Sequence, residues 1–205
     1  MDVSPVLTGL GLGIALAGAP GPVQAILLAE ALRGGARRGF KAMAGANATM
    51  GLLLLALAFG VSFAQPSETA LRVLKVVGGA FIVFLGVDGF RTADKAPAAS
   101  SARRELPPAM RGVLGVLLNA PAWLFLATAG SSLMASATRS GGTQSAVLAA
   151  LALLAGVASG DLTLVLVGGL GLRRAHQSVG VYVRRGLSIV LVLLGASLIV
   201  SGAMG

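Results

Sequence analysis

Six stretches of the chain are apolar over about the 20 residues that a helix needs to cross the hydrocarbon core of a bilayer. They lie at roughly 6–30, 42–64, 70–90, 112–136, 145–171 and 186–204. Only 11% of all residues are charged, whereas a soluble domain has about 25%. The sequence therefore predicts an all-α integral membrane protein with six transmembrane helices.

Basic residues are distributed unequally between the two sets of loops. Thirteen of the 16 Lys and Arg residues follow the first, third or fifth span, and the alternate side has only Arg72, Lys75 and Arg139. The positive-inside rule places the thirteen in the cytoplasm, so both termini are expected outside. Topology thus accounts for the formal charge of +9. We expect a multi-pass protein of the cell (inner, cytoplasmic) membrane that binds no nucleic acid.

A polar segment rich in Ala, Ser and Pro divides the spans into two sets of three. It predicts a cytoplasmic linker at 92–110 between a first three-helix repeat at 1–91 and a second at 111–205. Because three is an odd number, the second set must run in the opposite direction to the first. The predicted architecture is therefore two inverted three-helix repeats.

Each predicted repeat opens with an apolar helix that a proline interrupts. The interruptions are Pro20-Gly21-Pro22 in the first repeat and Asn119-Ala120-Pro121 in the second. A proline removes a backbone donor and crowds the carbonyl one turn earlier. Lipid cannot satisfy a freed carbonyl, so such backbone must face protein or a water-filled cavity. Broken helices at matching places in two halves are typical of a transporter binding site.

One acidic residue, Asp161, lies deep in the fifth apolar run. It is 12 residues from Arg173, or about 18 Å along a helix, which places it near the membrane midplane. A bare carboxylate there costs several kcal/mol, so we expect it to face a cavity or a partner, or to be protonated. This suits a proton-coupling role. A protonated Asp that only packs two helices is the alternative.

Three uncharged polar side chains, Gln24, Asn47 and Asn119, lie at similar depth. We predict that they line a polar cavity together with the broken backbone, whose helix ends can bind carboxylate and ammonium groups. The predicted substrate-binding residues are Pro20, Gly21, Pro22, Gln24, Asn47, Asn119 and Pro121. The alternatives are that the amides only bridge helices or satisfy freed carbonyls, and that the breaks are kinks needed for packing.

The remaining notable residues predict structural roles. Glu30 with Arg33, and Asp88 with Arg91, have the i,i+3 spacing of local ion pairs at the cytoplasmic boundary, with gating as the alternative. Gly34-Gly35 should end the first helix. The pattern Gly9-x-x-x-Gly13, like Gly156-x-x-x-Gly160, predicts close helix packing. Trp123 is assigned to the core, with the cavity wall as the alternative.

The chain has no cysteine and one histidine, His176, which we assign to a solvated basic loop. Disulfides and thiol redox chemistry are therefore excluded. We expect no metal site and no cofactor. No phosphate-binding loop is present, which excludes a nucleotide-driven pump.

Several segments resemble the lysine exporter (LysE/RhtB) family of amino-acid efflux transporters. The segment Gly18-Ala19-Pro20-Gly21-Pro22, followed by Leu32-Arg33-Gly34-Gly35 and Arg38-Gly39-Phe40, is similar to the opening signature of that family. The resemblance continues at 74–80, 84–86, 111–112, 117–119 and 122–125. It departs at Asn119-Ala120-Pro121, where the family usually has Asn-Pro-Lys, and at Thr49-Met50, where the family often has Gly-Asp.

The resemblance implies a secondary transporter and not an enzyme. Members of that family export lysine, arginine, homoserine or threonine, typically against protons. We therefore expect the substrate to be an amino acid or a similar small zwitterionic metabolite. A non-transporting membrane scaffold or subunit, and an exporter of a different small solute or ion, are the alternatives. Assembly into a homo-oligomer also stays open.

Overall fold

The computed structural model describes residues 3–19, 21–60, 67–92, 106–172 and 177–204, and every regular element in these ranges is helical. The helices are α1 (Ser4–Gly18), α2 (Pro22–Gly34), α3 (Ala36–Ala58), α4 (Glu68–Thr92), α5 (Pro108–Leu117), α6 (Ala120–Phe125), α7 (Ser131–Leu166) and α8 (Gln177–Met204). A π-helical turn at Leu126–Gly130 joins α6 to α7, and another at Val167–Leu172 extends α7.

Four helical segments are long and apolar enough to cross a membrane: Ala36–Ala58, Glu68–Arg91, Ala120–Leu170 and Arg185–Met204. The bent pair α1 and α2 adds a fifth if the pair forms one span. Large apolar side chains lie exposed on the outside of these helices, Leu52 and Phe59 among them. Such extended apolar surface fits contact with lipid. The chain is therefore an all-helical, multi-pass membrane protein in the part that the structure describes.

Two of the predicted spans are each divided into two helices, at the interruptions that the sequence predicts. The run at 6–30 becomes α1 and α2, which bend by 64° relative to each other. Gly21 before α2 is extended, with φ −154° and ψ 178°, and Pro22 is the first helical residue. Pro20 lies outside the described residues. The run at 112–136 is divided at Leu118 and Asn119, where Asn119 has φ −94° and ψ 96°.

Two glycines with positive φ separate consecutive helices. Gly35 has φ 77° and follows the last residue of α2, so the predicted helix end is confirmed. Gly142 has φ 67° and, with Gly141, interrupts α7. The left-handed region strains any residue with a Cβ, which explains why glycine stands at both points. We call residues 131–140 and 143–166 the first and second limbs of α7.

Glycines bring α1 against the second limb of α7, and α3 against α5. A Cβ added at Gly13 would lie 2.1 Å from the carbonyl oxygen of Leu153, and one at Gly156 would lie 2.5 Å from that of Leu10. On the other pair, a Cβ at Gly112 would lie 2.0 Å from the oxygen of Ala42. One at Gly45 would lie 2.0 Å from that of Ala109. The close packing predicted from the Gly-x-x-x-Gly patterns of α1 and α7 is therefore confirmed.

Helices α4 and α8 pack through a similar set of glycines. A Cβ at Gly79 would lie 2.6 Å from the oxygen of Gly195, and a Cβ at Gly195 would lie 2.6 Å from the oxygen of Gly79. Further along, Gly86 meets the carbonyl of Ser188, and Gly202 meets that of Arg72. Gly86 is seven residues after Gly79, whereas its partner Ser188 is seven residues before Gly195. The two helices therefore run antiparallel.

The predicted linker overlaps the start of α5. Helix α4 continues to Thr92 and α5 begins at Pro108, so residues 108–110 of the predicted 92–110 segment are helical. Residues 93–105 and His176 lie outside the described residues. Proline at the first position of α5 fits a helix start, because its missing N–H would have no partner there.

Candidate functional site

The two helix breaks open onto one cavity. The cavity has a volume of about 150 Å³, which is many times what a single water molecule needs. Its walls come from the end of α1, the start of α2, the middle of α3, the α5–α6 break and the second limb of α7. The lining residues are Leu16, Ala19, Gly21, Pro22, Val23, Gln24, Ala46, Asn47, Met50, Val116, Asn119, Pro121, Ala122, Val157 and Asp161.

Asp161 lies in the wall of this cavity and is only 1% exposed. The amide nitrogen Nδ2 of Asn47 on α3 donates a hydrogen bond of 3.1 Å to Oδ2 of Asp161 on α7. Met50 and Val157, one turn away from Asn47 and Asp161, give the same wall an apolar character. The carboxyl group is thus held by one polar partner in otherwise apolar surroundings.

Three buried acceptor oxygens in the cavity wall have no hydrogen-bond partner in the described part of the chain. They are Oδ1 of Asn47, Oδ1 of Asn119 and Oδ1 of Asp161. A buried polar atom without a partner costs about 1–3 kcal/mol, and folded proteins keep few of them. The donors that match these acceptors are ammonium, hydroxyl and water protons. The arrangement suits a ligand with an amino group.

The start of α2 gives the same cavity a positive pole. The backbone N–H groups of the first helical turn have no carbonyl partner inside a helix, and Val23 and Gln24 of this turn line the cavity. The helix dipole adds partial positive charge there, which favours an anionic group. The side chain of Gln24 bends back over Gly21, since a Cβ at Gly21 would lie 3.1 Å from its Oε1.

The structure brings most of the predicted site residues together. Gly21, Pro22, Gln24, Asn47, Asn119, Pro121 and Asp161 all line the one cavity, and Pro20 lies outside the described residues. Their proximity does not itself test their role in binding, which stays a prediction.

A residue assigned to the core by sequence has a specific role at the second break. Nε1 of Trp123 donates a 2.8 Å hydrogen bond to the carbonyl oxygen of Leu117, one of the groups that the break leaves without a helical partner. The indole, rather than the Asn119 amide, thus satisfies this carbonyl. The signal was an indole donor one turn after Asn119. The apolar wall residues Ala46 and Val116 had no such signal.

A second polar cluster lies at one end of the cavity. Glu30 accepts hydrogen bonds from Nε of Arg38 and, at 2.8 Å, from Nη1 of Arg111. Asp88 accepts from Arg33 at 3.0 Å and from Arg111 at 3.3 Å. The predicted Glu30–Arg33 contact exists at 3.9 Å. The i,i+3 spacing did not predict the ion pairs between helices, because it relates only residues on the same helix.

The sequence model of the LysE type translocator family matches residues 14–202 of this chain. Comparisons with curated proteins and with solved structures gave no match. The matched range includes both helix breaks, Asp161 and the charged cluster. The chain therefore belongs to the LysE-type translocator family, and it is a membrane transporter and not an enzyme.

Proposed function

We propose that this protein is a secondary exporter of amino acids or similar small zwitterionic metabolites, driven by protons. The observation that supports this most is the shared cavity, where two helix breaks meet a buried carboxyl group and three unpartnered acceptors. A scaffold gains nothing from this arrangement, because unsatisfied buried acceptors weaken a fold.

The cavity offers complementary groups for both ends of a zwitterion. The ammonium group would bind Asp161 and the amide oxygens of Asn47 and Asn119, which lack donors. The carboxylate would bind the first N–H groups of α2 at the positive pole of that helix.

Asp161 supports coupling to protons, because it is the only titratable side chain among the described residues that line the cavity. A proton and a substrate ammonium group compete for the same carboxylate. Loading of one therefore favours release of the other, which is the thermodynamic requirement for exchange. In this proposal a proton enters as an amino acid leaves.

The proposed architecture has two inverted repeats, and the helix contacts support it. The same offset of 99 residues relates Gly13 to Gly112 and Leu10 to Ala109, and it also relates Pro22 to Pro121. An offset of 111 relates Leu153 to Ala42 and Gly156 to Gly45. The α1–α7 contact and the α3–α5 contact are thus the same contact in two copies.

The α4–α8 pair supports the same symmetry. An offset of 116 residues relates Gly79 to Gly195, Gly86 to Gly202 and Arg72 to Ser188. Each contact from α4 to α8 therefore has a matching contact from α8 to α4. An antiparallel pair of this kind is expected where a two-fold axis in the membrane plane passes between equivalent helices.

Six spans follow if α7 is divided at Gly141–Gly142 and each broken pair counts as one span. In this topology the charged cluster and most basic residues lie in the cytoplasm, and both termini lie outside. The membrane would be the cell (inner, cytoplasmic) membrane.

The proposal is tested by reconstituting the purified protein in vesicles preloaded with each of a panel of radiolabelled amino acids. A pH gradient should drive flux of at least one small member of the panel, and empty vesicles should not. The control variant is Glu68→Gln, which changes an exposed carboxyl group on α4 and should transport like the unchanged protein. No flux of any amino acid, with or without a gradient, would reject the proposal and favour a scaffold or a different solute.

A further inference from the structure

Five charged side chains from four helices form a network at one end of the protein, two of them buried and three partly buried. They are Glu30 and Arg33 of α2, Arg38 of α3, Asp88 of α4 and Arg111 of α5. Glu30 is 1% exposed and Arg111 3%. The network has three cations and two anions, so every carboxylate is shared between arginines. Nε of Arg111 also donates to the carbonyl of Leu106 at 3.2 Å.

The network lies at a fixed distance from the cavity on three of the helices that line it. Glu30 is eight residues beyond Pro22, Arg111 is eight before Asn119, and Arg38 is nine before Asn47. Each separation is about 12–14 Å along a helix. Because α2 leads away from the cavity whereas α3 and α5 lead towards it, all three residues lie at the same end. The network therefore covers one end of the cavity.

Only a thin apolar layer separates the network from the cavity. Ile26, which is 1% exposed, lies between the cavity residue Val23 and the network residue Glu30 on α2. It packs on Gly115 of α5, where a Cβ would meet its Cδ1 at 2.8 Å. On the network side, Ile26 lines a second small cavity of about 20 Å³ together with Glu30, Arg33 and Arg111. A solute leaving the central cavity at this end would pass both layers.

Packing alone does not account for the network. A buried salt bridge contributes little net stability, because removing two charges from water costs about as much as their attraction returns. The symmetry-related positions at the other end also need no charges. By the offsets given above, the position equivalent to Arg111 is Leu12, that of Asp88 is Met204 and that of Arg38 is Ala149. The same helix contacts therefore form there without ion pairs.

We propose that the network Glu30–Arg33–Arg38–Asp88–Arg111 is the closed gate on one side of the transport path, and that it must open to connect the central cavity with that side. This inference rests on the proposed transport function. Two of the ion pairs, Glu30–Arg111 and Asp88–Arg111, join helices of the first repeat to α5 of the second, so a movement of one repeat against the other breaks them. Ion pairs that are intact in one state and separated in another are a usual two-state element.

The gate is tested by thiol labelling, because the chain has no cysteine and a single introduced one gives a clean signal. Val116→Cys places the thiol in the cavity wall at a position that is 2% exposed. A membrane-impermeant maleimide is added from each side of vesicles of known orientation. Two network variants are then made in the Val116→Cys protein. Arg38→Gln removes one partner of Glu30, and Asp88→Asn removes one partner of Arg111. Arg37→Gln is the control, since Arg37 is the exposed neighbour of Arg38 and lies outside the network.

Arg38→Gln and Asp88→Asn should each raise the labelling rate from the network side by about tenfold, the effect of a modest shift in a two-state equilibrium. Arg37→Gln should not change that rate, and labelling from the opposite side should not increase.

The gate would be overturned if both network variants elute as folded species in detergent and their labelling rates are unchanged. If labelling responds but no amino acid is transported, the gate stands and the proposed substrate class fails. If transport is normal and labelling does not respond, only the gate fails.

Discussion

At the scale of single residues, the Asp161–Asn47 pair distinguishes this cavity from an ordinary gap between helices. The hydrogen bond of 3.1 Å satisfies one carboxyl oxygen, and the other oxygen has no partner in the described part of the chain. An acid placed only for packing would gain most from a fully satisfied position. A half-satisfied carboxyl group leaves one oxygen for a proton or an ammonium group, as the proposed exchange requires.

We expect Asp161→Asn to remove proton coupling and to leave the fold intact. The amide has nearly the shape of the carboxyl group and can still bond Asn47, but it cannot gain or lose a proton. Efflux driven by a pH gradient should vanish, whereas downhill substrate exchange should remain in part. Flux is measured in the same vesicles with and without the gradient. Full gradient-driven transport by the variant would exclude the coupling role, and loss of folding would support a packing role.

The sequence predicted the positions of these polar residues better than their partners. Asp161, Asn47 and Asn119 were identified because polar groups are costly in an apolar run. The bond between Asn47 and Asp161 spans 114 positions in the sequence, and no local spacing reports such a pair. The bond from Trp123 to Leu117 was missed for a different reason. An indole N–H can bond any nearby carbonyl, and the sequence does not say which one.

At the scale of helices, backbone contacts at glycines determine how closely the spans approach. Lipid is as apolar as a leucine side chain, so helices in a membrane associate through close packing rather than through burial from water. In this protein several glycines lie directly against a carbonyl on the partner helix, as Gly13 does against Leu153. Such contacts leave no room for even one methyl group.

Two neighbouring glycines of α1 should therefore respond differently to alanine. A Cβ at Gly13 would lie 2.1 Å from the oxygen of Leu153, whereas a Cβ at Gly11 would meet nothing within 4 Å. Gly13→Ala should lower the free energy of unfolding by about 1–3 kcal/mol, as overpacking does elsewhere. Gly11→Ala should have no such cost, because alanine also favours the helix. The measurement is the temperature at which each variant loses its monodisperse elution in detergent. Equal temperatures for the two variants would contradict the close α1–α7 contact.

The sequence predicted which elements exist but not how they bend. Each long apolar helix that the structure describes overlaps a run that hydropathy had marked, and the prolines marked both breaks. The predicted runs at 112–136 and 145–171, however, both overlap one helical segment, Ala120–Leu170. The sequence did not predict the angle of 64° between α1 and α2. It also did not predict that α5 begins at Pro108, within the polar segment. Helix direction after a break depends on contacts with other helices, which a local pattern does not contain.

At the scale of the whole molecule, the proposed symmetry and the distribution of charge have different consequences. The repeated glycine contacts make the two halves alike in packing. The ion network makes the two ends unlike, because the positions related to Arg111 and Asp88 are Leu12 and Met204. Two repeats that pack alike can open to either side of the membrane. Because only one end has the ion network, opening at that end costs a different free energy from opening at the other. Opening to either side of a central site is what alternating access by two repeats needs.

The topology predicts that a reporter fused after Gly205 reads as external. Thirteen of 16 basic residues lie on one side of the proposed spans, and that side is retained in the cytoplasm. A C-terminal alkaline phosphatase fusion should therefore be active and a C-terminal green fluorescent protein fusion dark. The reverse result would place the termini in the cytoplasm and the charged network outside.

The most direct test of the central claim is substrate protection of a thiol in the cavity. Val116→Cys introduces the only thiol of the chain, next to Asn119 in the cavity wall. Its labelling rate is measured with each amino acid of the panel at saturating concentration. The account predicts that transported amino acids slow the labelling and that those not transported leave it unchanged. A transported amino acid that leaves the labelling rate unchanged would show that the substrate does not pass through this cavity.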